Sequence, residues 1–396
     1  MERIWPANQD TAADLANRET VLEAPNEGEA STRWAFRGIE QLVGNYRAIV
    51  KMRALFYPSA YRFGRELGRG RQGVVFLAFR HGARGCMTRH ALKLFDPGIY
   101  GTVRKYWTDM GRIANQISRL QSVNAPNLVG RDIYEEANGV GYVQMEAIDG
   151  LDIQHLLYGD HFARVRARST PEEWARFSDV IFRFEDGRVR IQPGVALYIM
   201  RQSLRGLEAL HDAGFVHCDI KPSNLMCDKI GIVKVVDYGR ANFVSEKITF
   251  LLGSPVYMAP EIHRRETYLV QSDLYSVGLV GIEMLRGESV VHPRLSEEDM
   301  LKYKLQLPPR LPELLPPHVR RNRDFVALLQ RMIHPDPAQR FANAEEAESG
   351  SEGLALLHKQ LTMLGKDSEY DRDLESYVSK LFAEGASATA HEGMLT

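Results

Sequence analysis

The stretch His217-Cys218-Asp219-Ile220-Lys221-Pro222-Ser223-Asn224, followed after a strand-like apolar run by Asp237-Tyr238-Gly239, constrains this chain more than any other segment. It brings a carboxylate, an ammonium, a carboxamide and a second carboxylate into one loop and the turn beyond it. Any fold that carries both must assemble them around a single polar site.

These residue types suit phosphoryl transfer. That reaction asks little covalent chemistry of a protein but needs an acceptor hydroxyl held and deprotonated beside a metal-clamped triphosphate. Asp219 is short and acidic and can take the hydroxyl proton. Lys221, two residues on in an extended loop, points the same way and can neutralise charge on the transferred group. Asn224 offers a neutral oxygen and Asp237 a charged one, the hard donors that magnesium prefers.

Upstream, Glu66-Leu67-Gly68-Arg69-Gly70-Arg71-Gln72-Gly73-Val74-Val75 reads as a strand, a glycine-rich turn and a second strand. Glycine lets backbone N–H groups approach phosphates with no Cβ in the way, and Gly68, Gly70 and Gly73 fit that use. Taken alone, the pattern also describes a dinucleotide fingerprint or a plain hairpin. The apolar alternation continues from Val75 to Ala78 as a strand, where a dinucleotide motif would open a helix, and this favours the phosphate reading. In His90-Ala91-Leu92-Lys93-Leu94-Phe95 a single cation interrupts an apolar run. As an ordinary strand residue, Lys93 would snorkel to water.

Together these segments resemble the eukaryotic-like (Hanks-type) serine/threonine protein kinases, whose catalytic loop reads H-R-D-x-K-x-x-N and whose metal-binding turn reads D-F-G. Gly253-Ser254-Pro255-Val256-Tyr257-Met258-Ala259-Pro260-Glu261 is similar to the family's G-T-P-x-Y-M-A-P-E, and Ser272-Asp273-Leu274-Tyr275-Ser276-Val277-Gly278 to the start of its central helix. The resemblance covers about residues 60–345. It implies an α+β, two-lobed fold: a β-rich small lobe with one main helix (60–147), a larger, mostly helical lobe (148–345), and helical extensions at 1–59 and 346–396. It implies ATP with Mg2+, or Mn2+, and Lys93 on the α- and β-phosphates. Leu67, Gly68, Gly70, Gly73 and Val75 would cover the nucleotide, with Met145 as gatekeeper behind the adenine. The backbone of Glu146 and Ala147 would bond the adenine edge, and Asp152 would reach the ribose. Val75, Ala91 and Met226 would sandwich the ring. Arg340 would supply the buried partner of Glu261, and Asp273 would brace the catalytic loop.

The departures from the pattern are specific. Cys218 replaces an arginine and Tyr238 a phenylalanine. No glutamate occurs between Lys93 and Tyr134. Aligning the helical segment 102–123 puts the uncharged Gln116 where the family's lysine-pairing glutamate stands, with Asp109, two turns earlier, as a shorter substitute. Nucleotide positioning is then expected to be weaker, with the chemistry retained. In the family the missing arginine binds a phosphate on the activation segment, so activity is expected not to depend on phosphorylation of Ser245, Thr249 or Ser254. A pseudokinase scaffold that binds nucleotide is one rival, supported by Gln116. A small-molecule phosphotransferase is another, though such enzymes lack the Ala259-Pro260-Glu261 segment that here argues for a peptide-binding surface.

A formal net charge of −1 argues against a nucleic-acid-coating protein. No apolar run approaches the ~18 residues that span a membrane, and the polar, acidic N-terminus lacks a signal-peptide pattern. Cys86, Cys218 and Cys227 are too few for a disulfide framework, which points to a reducing cytoplasm. Charge falls in blocks: residues 1–30 hold seven acids against two arginines, residues 31–72 nine bases against two acids, and residues 342–396 eleven acids against four bases. Helices are expected over Trp34–Tyr46, Leu354–Leu364 and Leu374–Phe382. Residues 153–196 exceed the family's usual connection, and alternation around Asp186-Gly187 predicts a β-hairpin. The expected partner is a protein with a Ser/Thr acceptor. A regulatory partner would dock on the 153–196 insertion or the terminal extensions.

Overall fold

Helix α1 (Ser31–Met52) carries Ile39, Tyr46 and Ile49 buried at helical spacing, and that stripe draws it onto the small lobe alongside helix α2 (Val103–Leu120). The computed structural model describes residues 31–56, 58–248, 253–363 and 369–382. The acidic segment 1–30 and Thr249 lie outside the described residues.

Strands β1 (Ala54–Leu55), β2 (Tyr61–Gly70), β3 (Gly73–His81), β4 (Met87–Phe95), β5 (Arg131–Ala137) and β6 (Val140–Glu146) form one antiparallel sheet in the order β1-β2-β3-β4-β6-β5. Period-two alternation sets its faces. Val74, Phe76, Leu92 and Leu94 pack in one cluster with Tyr46 and Ile49. Ala91, Phe95, Val143 and Met145 pack on the other side with Tyr106, Met110, Ile113 and Ile117 of α2. Lys93, between Leu92 and Leu94, therefore points toward the α2 side. Each fully buried side chain contributes about 1.5–3 kcal/mol. Thr102 caps α2 by accepting from the Lys105 amide, which fixes where the helix starts.

β7 (Gly150–Asp152) leads into α3 (Ile153–Tyr158), α4 (His161–Ala167) and α5 (Pro171–Val180). Thr170 and Glu173 close a capping box on α5, with Pro171 in its first turn. The predicted hairpin is present as β8 (Phe182–Glu185) and β9 (Arg188–Ile191), with Glu185 opposite Arg188. Asp186 and Gly187 both have positive φ, as a two-residue turn matched to strand twist requires. Next come α6 (Pro193–Asp212), β10 (Phe215–Val216), β11 (Leu225–Asp228), β12 (Val233–Val235) and β13 (Asn242–Phe243), with β7 and β12 flanking β11.

α7 (Pro260–His263) precedes α8 (Val270–Arg286), which is buried along nearly its whole length and forms the axis of the large lobe with α6. Gly287 ends α8 at φ 74°; a Cβ there would lie 2.4 Å from the Val189 carbonyl oxygen of the hairpin. α9 (Glu297–Leu305), α10 (Leu307–Leu314), α11 (Pro317–Arg320), α12 (Arg323–Met332), α13 (Ala344–Ser349), α14 (Leu354–Met363) and α15 (Tyr370–Phe382) complete the described chain.

α15 docks on the insertion. Arg176 grips Asp373 through two bonds of 2.5 and 3.0 Å, Lys380 reaches Glu173 at 2.8 Å, and the Tyr377 hydroxyl meets His161 Nδ1 at 2.7 Å. Tyr377 is fully buried among Phe177, Phe182 and His161.

Candidate active site

The glycine turn is a tight hairpin in which Gly70 pairs with Gly73 across Arg71 and Gln72. Gly73, at φ 145°, is required by the sheet itself, since a Cβ would sit 1.8 Å from the Leu94 carbonyl oxygen. Gly68 and Gly70 face open space, so nothing inside the protein demands glycine there. Room is left for a ligand to approach that backbone.

Lys93 is buried, and its Nζ donates to Asp237 Oδ1 at 2.5 Å and to Gln72 Oε1 at 3.1 Å. No bond joins it to α2 among the described residues. Gln116 turns elsewhere, donating to the carbonyl oxygens of Tyr238 at 2.8 Å and Ala241 at 3.3 Å. Asp109 accepts from the Tyr100 hydroxyl and lies 3.3 Å from Arg112 Nε. Gln116 and Asp109 thus make their hydrogen bonds to groups other than Lys93, and Gln116 bonds the turn that carries Asp237, the partner of Lys93. Successive helical residues turn by about 100°, and Gln116 lies on the part of the face that meets the metal-binding turn.

His217 accepts the Asp219 amide on Nδ1 and donates from Nε2 to the Val236 carbonyl oxygen at 3.0 Å, which joins the catalytic loop to the strand leading to Asp237. Asp273, at the start of α8, accepts the amides of His217 and Cys218 at 2.7 and 2.9 Å and meets His211 Nε2 at 2.9 Å. Cys218 is held at φ 66° and Asp237 at φ 57°, left-handed conformations that cost non-glycine residues energy and persist where surrounding bonds enforce them. Burial, reinforced by Asp273, pushes the Cys218 thiol well up. It stays protonated and bonds the Val216 carbonyl oxygen, and it accepts from Asn242 Nδ2 at 3.6 Å.

The Oδ2 atom of Asp219 accepts from Lys221 Nζ at 2.9 Å, while its Oδ1 is buried with no hydrogen-bond partner among the described residues. Lys221 also reaches Ser254 Oγ at 3.2 Å. Asn224 donates to the Asp219 carbonyl oxygen at 2.8 Å. Burial raises the Asp237 carboxyl, but Lys93, Arg131 and His217 outweigh it and hold the group below the usual carboxylate range. Its side chain keeps 40% exposure and so remains open to the cleft. Asp237 and Asn224 supply hard oxygens, and among the described residues no cluster of three or more His, Cys, Asp or Glu makes a closed metal cage. That donor set fits a magnesium ion whose shell phosphates complete.

Ala91 and Met145 are cross-strand partners and buried, whereas Leu67, Val75, Ala147 and Met226 are half-buried. The Glu146 amide donates to the Gly130 carbonyl oxygen at 2.9 Å, and its carboxylate pairs with Lys234 at 2.8 Å. Asp152 caps α3, with its two oxygens on the His155 amide and ring. The Glu261–Arg340 pair is fully buried and bidentate, at 2.7 and 2.8 Å.

Sequence reasoning missed Arg131. Its guanidinium carbon lies 3.5 Å from the centroid of the Tyr238 ring, and it adds positive charge beside Asp237. An arginine opening a short strand gives no periodic signal that would reveal this. Gln72, in the glycine turn, was likewise passed over as a Lys93 partner.

A family model described as the protein kinase domain matches residues 61–349. The chain is 30% identical over 163 residues to the serine/threonine-protein kinase dst2 of Dictyostelium discoideum, covering 40% of this chain and 14% of that protein. It is 30% identical over 161 residues to the serine/threonine-protein kinase PknA of Corynebacterium glutamicum, covering 40% and 33%. It is 46% identical over 99 residues to the serine/threonine-protein kinase atg1 of Dictyostelium discoideum, covering 24% and 15%. The matched stretches thus span a third or less of these relatives' length.

Proposed function

This chain belongs to the protein kinase family, and on that premise we propose that it transfers the γ-phosphoryl group of ATP to a serine or threonine hydroxyl of a protein. The unpartnered, buried Oδ1 of Asp219 carries the reading. A base needs one oxygen held and the other unbonded, and Lys221 holds Oδ2 while Oδ1, covered in this state, has no hydrogen-bond partner among the described residues. In this reading Asp219 takes the acceptor proton, Lys221 balances charge beside it, and Lys93 swings from Asp237 to the nucleotide phosphates. Asn224 and Asp237 would hold a divalent ion, which supplies charge neutralisation between the phosphates when bound. Gly68 and Gly70 give the phosphates room, and Leu67, Val75, Ala91, Met145 and Met226 line the apolar part of the cleft. Asp152 serves the ribose only by giving up its bonds to His155.

Activity independent of an activation-segment phosphate is part of this proposal, and two links from α2 support it. Asn242 joins Arg112 of α2, at 3.1 Å, to Cys218 of the catalytic loop, while Gln116 fastens α2 to the metal-binding turn. These bonds, none of them to a phosphate, support a kinase competent as synthesised, with control located in the extensions or the 153–196 insertion.

Radiolabelled ATP turnover with magnesium on a protein acceptor, comparing the native chain with Asp219→Asn, tests the proposal. A second reading, a nucleotide-binding scaffold, draws on the closure of Lys93 onto Asp237. Nucleotide binding with no transfer to any protein acceptor would decide for it.

A further inference from the structure

Lys304, in α9, is fully buried without a carboxylate bound to it among the described residues. Taking an ammonium out of water is costly, and a position that needed only bulk would hold methionine or leucine. Lys304 instead spends all three N–H bonds: on the Pro255 carbonyl oxygen at 2.6 Å, the Met258 carbonyl oxygen at 2.7 Å and His263 Nε2 at 3.0 Å. Pro255 and Met258 bracket the stretch between Ser254, which touches Lys221, and Glu261, which is locked to Arg340. The two ends of that stretch are anchored by other residues; in its middle Ser276 and Glu283 hold Tyr257, and Lys304 holds the carbonyl oxygens of Pro255 and Met258 on either side of it.

We propose that Lys304 is a positioning residue for the protein acceptor, clamping Pro255–Met258 in the shape against which the segment bearing the reactive hydroxyl docks beside Asp219. The inference rests on the kinase reading above and adds to it the residue that forms the acceptor's seat. Burial lowers the ammonium to about 7 and His263, facing it from α7, to about 4. At neutral pH His263 is therefore an uncharged acceptor. The other charges around the pair are Glu261, neutralised by Arg340, together with Glu297 and Arg265 near the His263 ring. Lys304 is thus the group that titrates here near neutrality. Above that range it loses one donor for three acceptors, and the clamp slackens.

The full-length chain is assayed with dephosphorylated casein as acceptor. Lys304→Met is expected to raise the KM for casein about tenfold, the value of one or two lost charge-assisted bonds, while the Kd of a non-hydrolysable ATP analogue stays unchanged. The native KM is expected to climb between pH 6 and pH 8.5, and the variant's to stay flat. Amide hydrogen exchange over 253–263 should quicken in the variant while exchange over 66–75 and 217–226 does not. If Lys304→Met fails to fold, Lys304→Gln, which keeps two donors, is read the same way. An unchanged casein KM, a parallel loss of ATP affinity, identical pH trends or uniformly faster exchange would each overturn the proposal. If the native chain phosphorylates no casein, the count goes against the kinase reading, and exchange over 253–263 alone decides the clamp: a local rise supports it and no change refutes it.

Discussion

The ammonium of Lys93 lies 2.5 Å from the carboxylate of Asp237, so the cation that faces the nucleotide cleft is held by the metal-binding turn and not by helix α2. Lys93→Met removes this pair and, under the proposed function, the cation that would meet the phosphates. It should weaken ATP binding about tenfold or more, measured by calorimetry with a non-hydrolysable analogue.

Asp219→Asn keeps the shape of the catalytic loop but removes the free carboxylate oxygen. Phosphate transfer to a protein acceptor should fall by about 10²–10⁴, the usual contribution of a positioned base, with nucleotide affinity retained. Retained transfer would move the base elsewhere.

Alignment with the family suggests that glutamate at position 116 should strengthen nucleotide binding. The geometry reverses that expectation. In Gln116→Glu a carboxylate would face the Tyr238 and Ala241 carbonyl oxygens that now accept from the amide. The variant should lose about 1–3 kcal/mol of stability in urea denaturation and gain no ATP affinity.

The difference between those two expectations shows what was legible in the chain. Asp219, Lys221 and Asn224 stand in one short motif whose internal spacing holds them close, whereas the Asp273 brace and the Glu261–Arg340 pair, 55 and 79 residues apart, were expected only from the family resemblance. The hairpin at 182–191 was equally plain, because alternation and an Asp-Gly turn are local signals. Which group Gln116 bonds depended on how helix and turn meet in space, which its spacing along the chain does not reveal. Arg131 and Lys304 look like solvent-facing cations in sequence. Their burial comes from neighbours more than a hundred residues away in one case and about forty to fifty in the other.

Arg340→Met would leave the Glu261 carboxylate buried with the Ser272 hydroxyl as its side-chain donor and no opposite charge. Breaking a pair that is fully shielded on both sides should cost about 3–5 kcal/mol, seen as a lower urea midpoint with an unchanged m-value. Replacing both residues by apolar ones should restore much of the loss.

His263 has a folded-state pKa of about 4 against an ordinary 6.5. Between those values the unfolded chain binds a proton that the folded chain does not, so stability falls as pH drops from 6.5 through 4. His263→Gln keeps an acceptor for Lys304 but cannot be protonated in this range. Urea midpoints at pH 4.5 and pH 7 should therefore differ less for the variant than for the native chain.

The docking of α15 on the insertion bears on how the protein is born. Tyr377 follows its partner His161 by 216 residues. At a synthesis rate of about 5–20 residues per second, the aromatic face of Phe177 and Phe182 waits about 10–40 seconds on the ribosome before its cover arrives. A chain stalled or cut short before Tyr370 would leave that apolar surface uncovered.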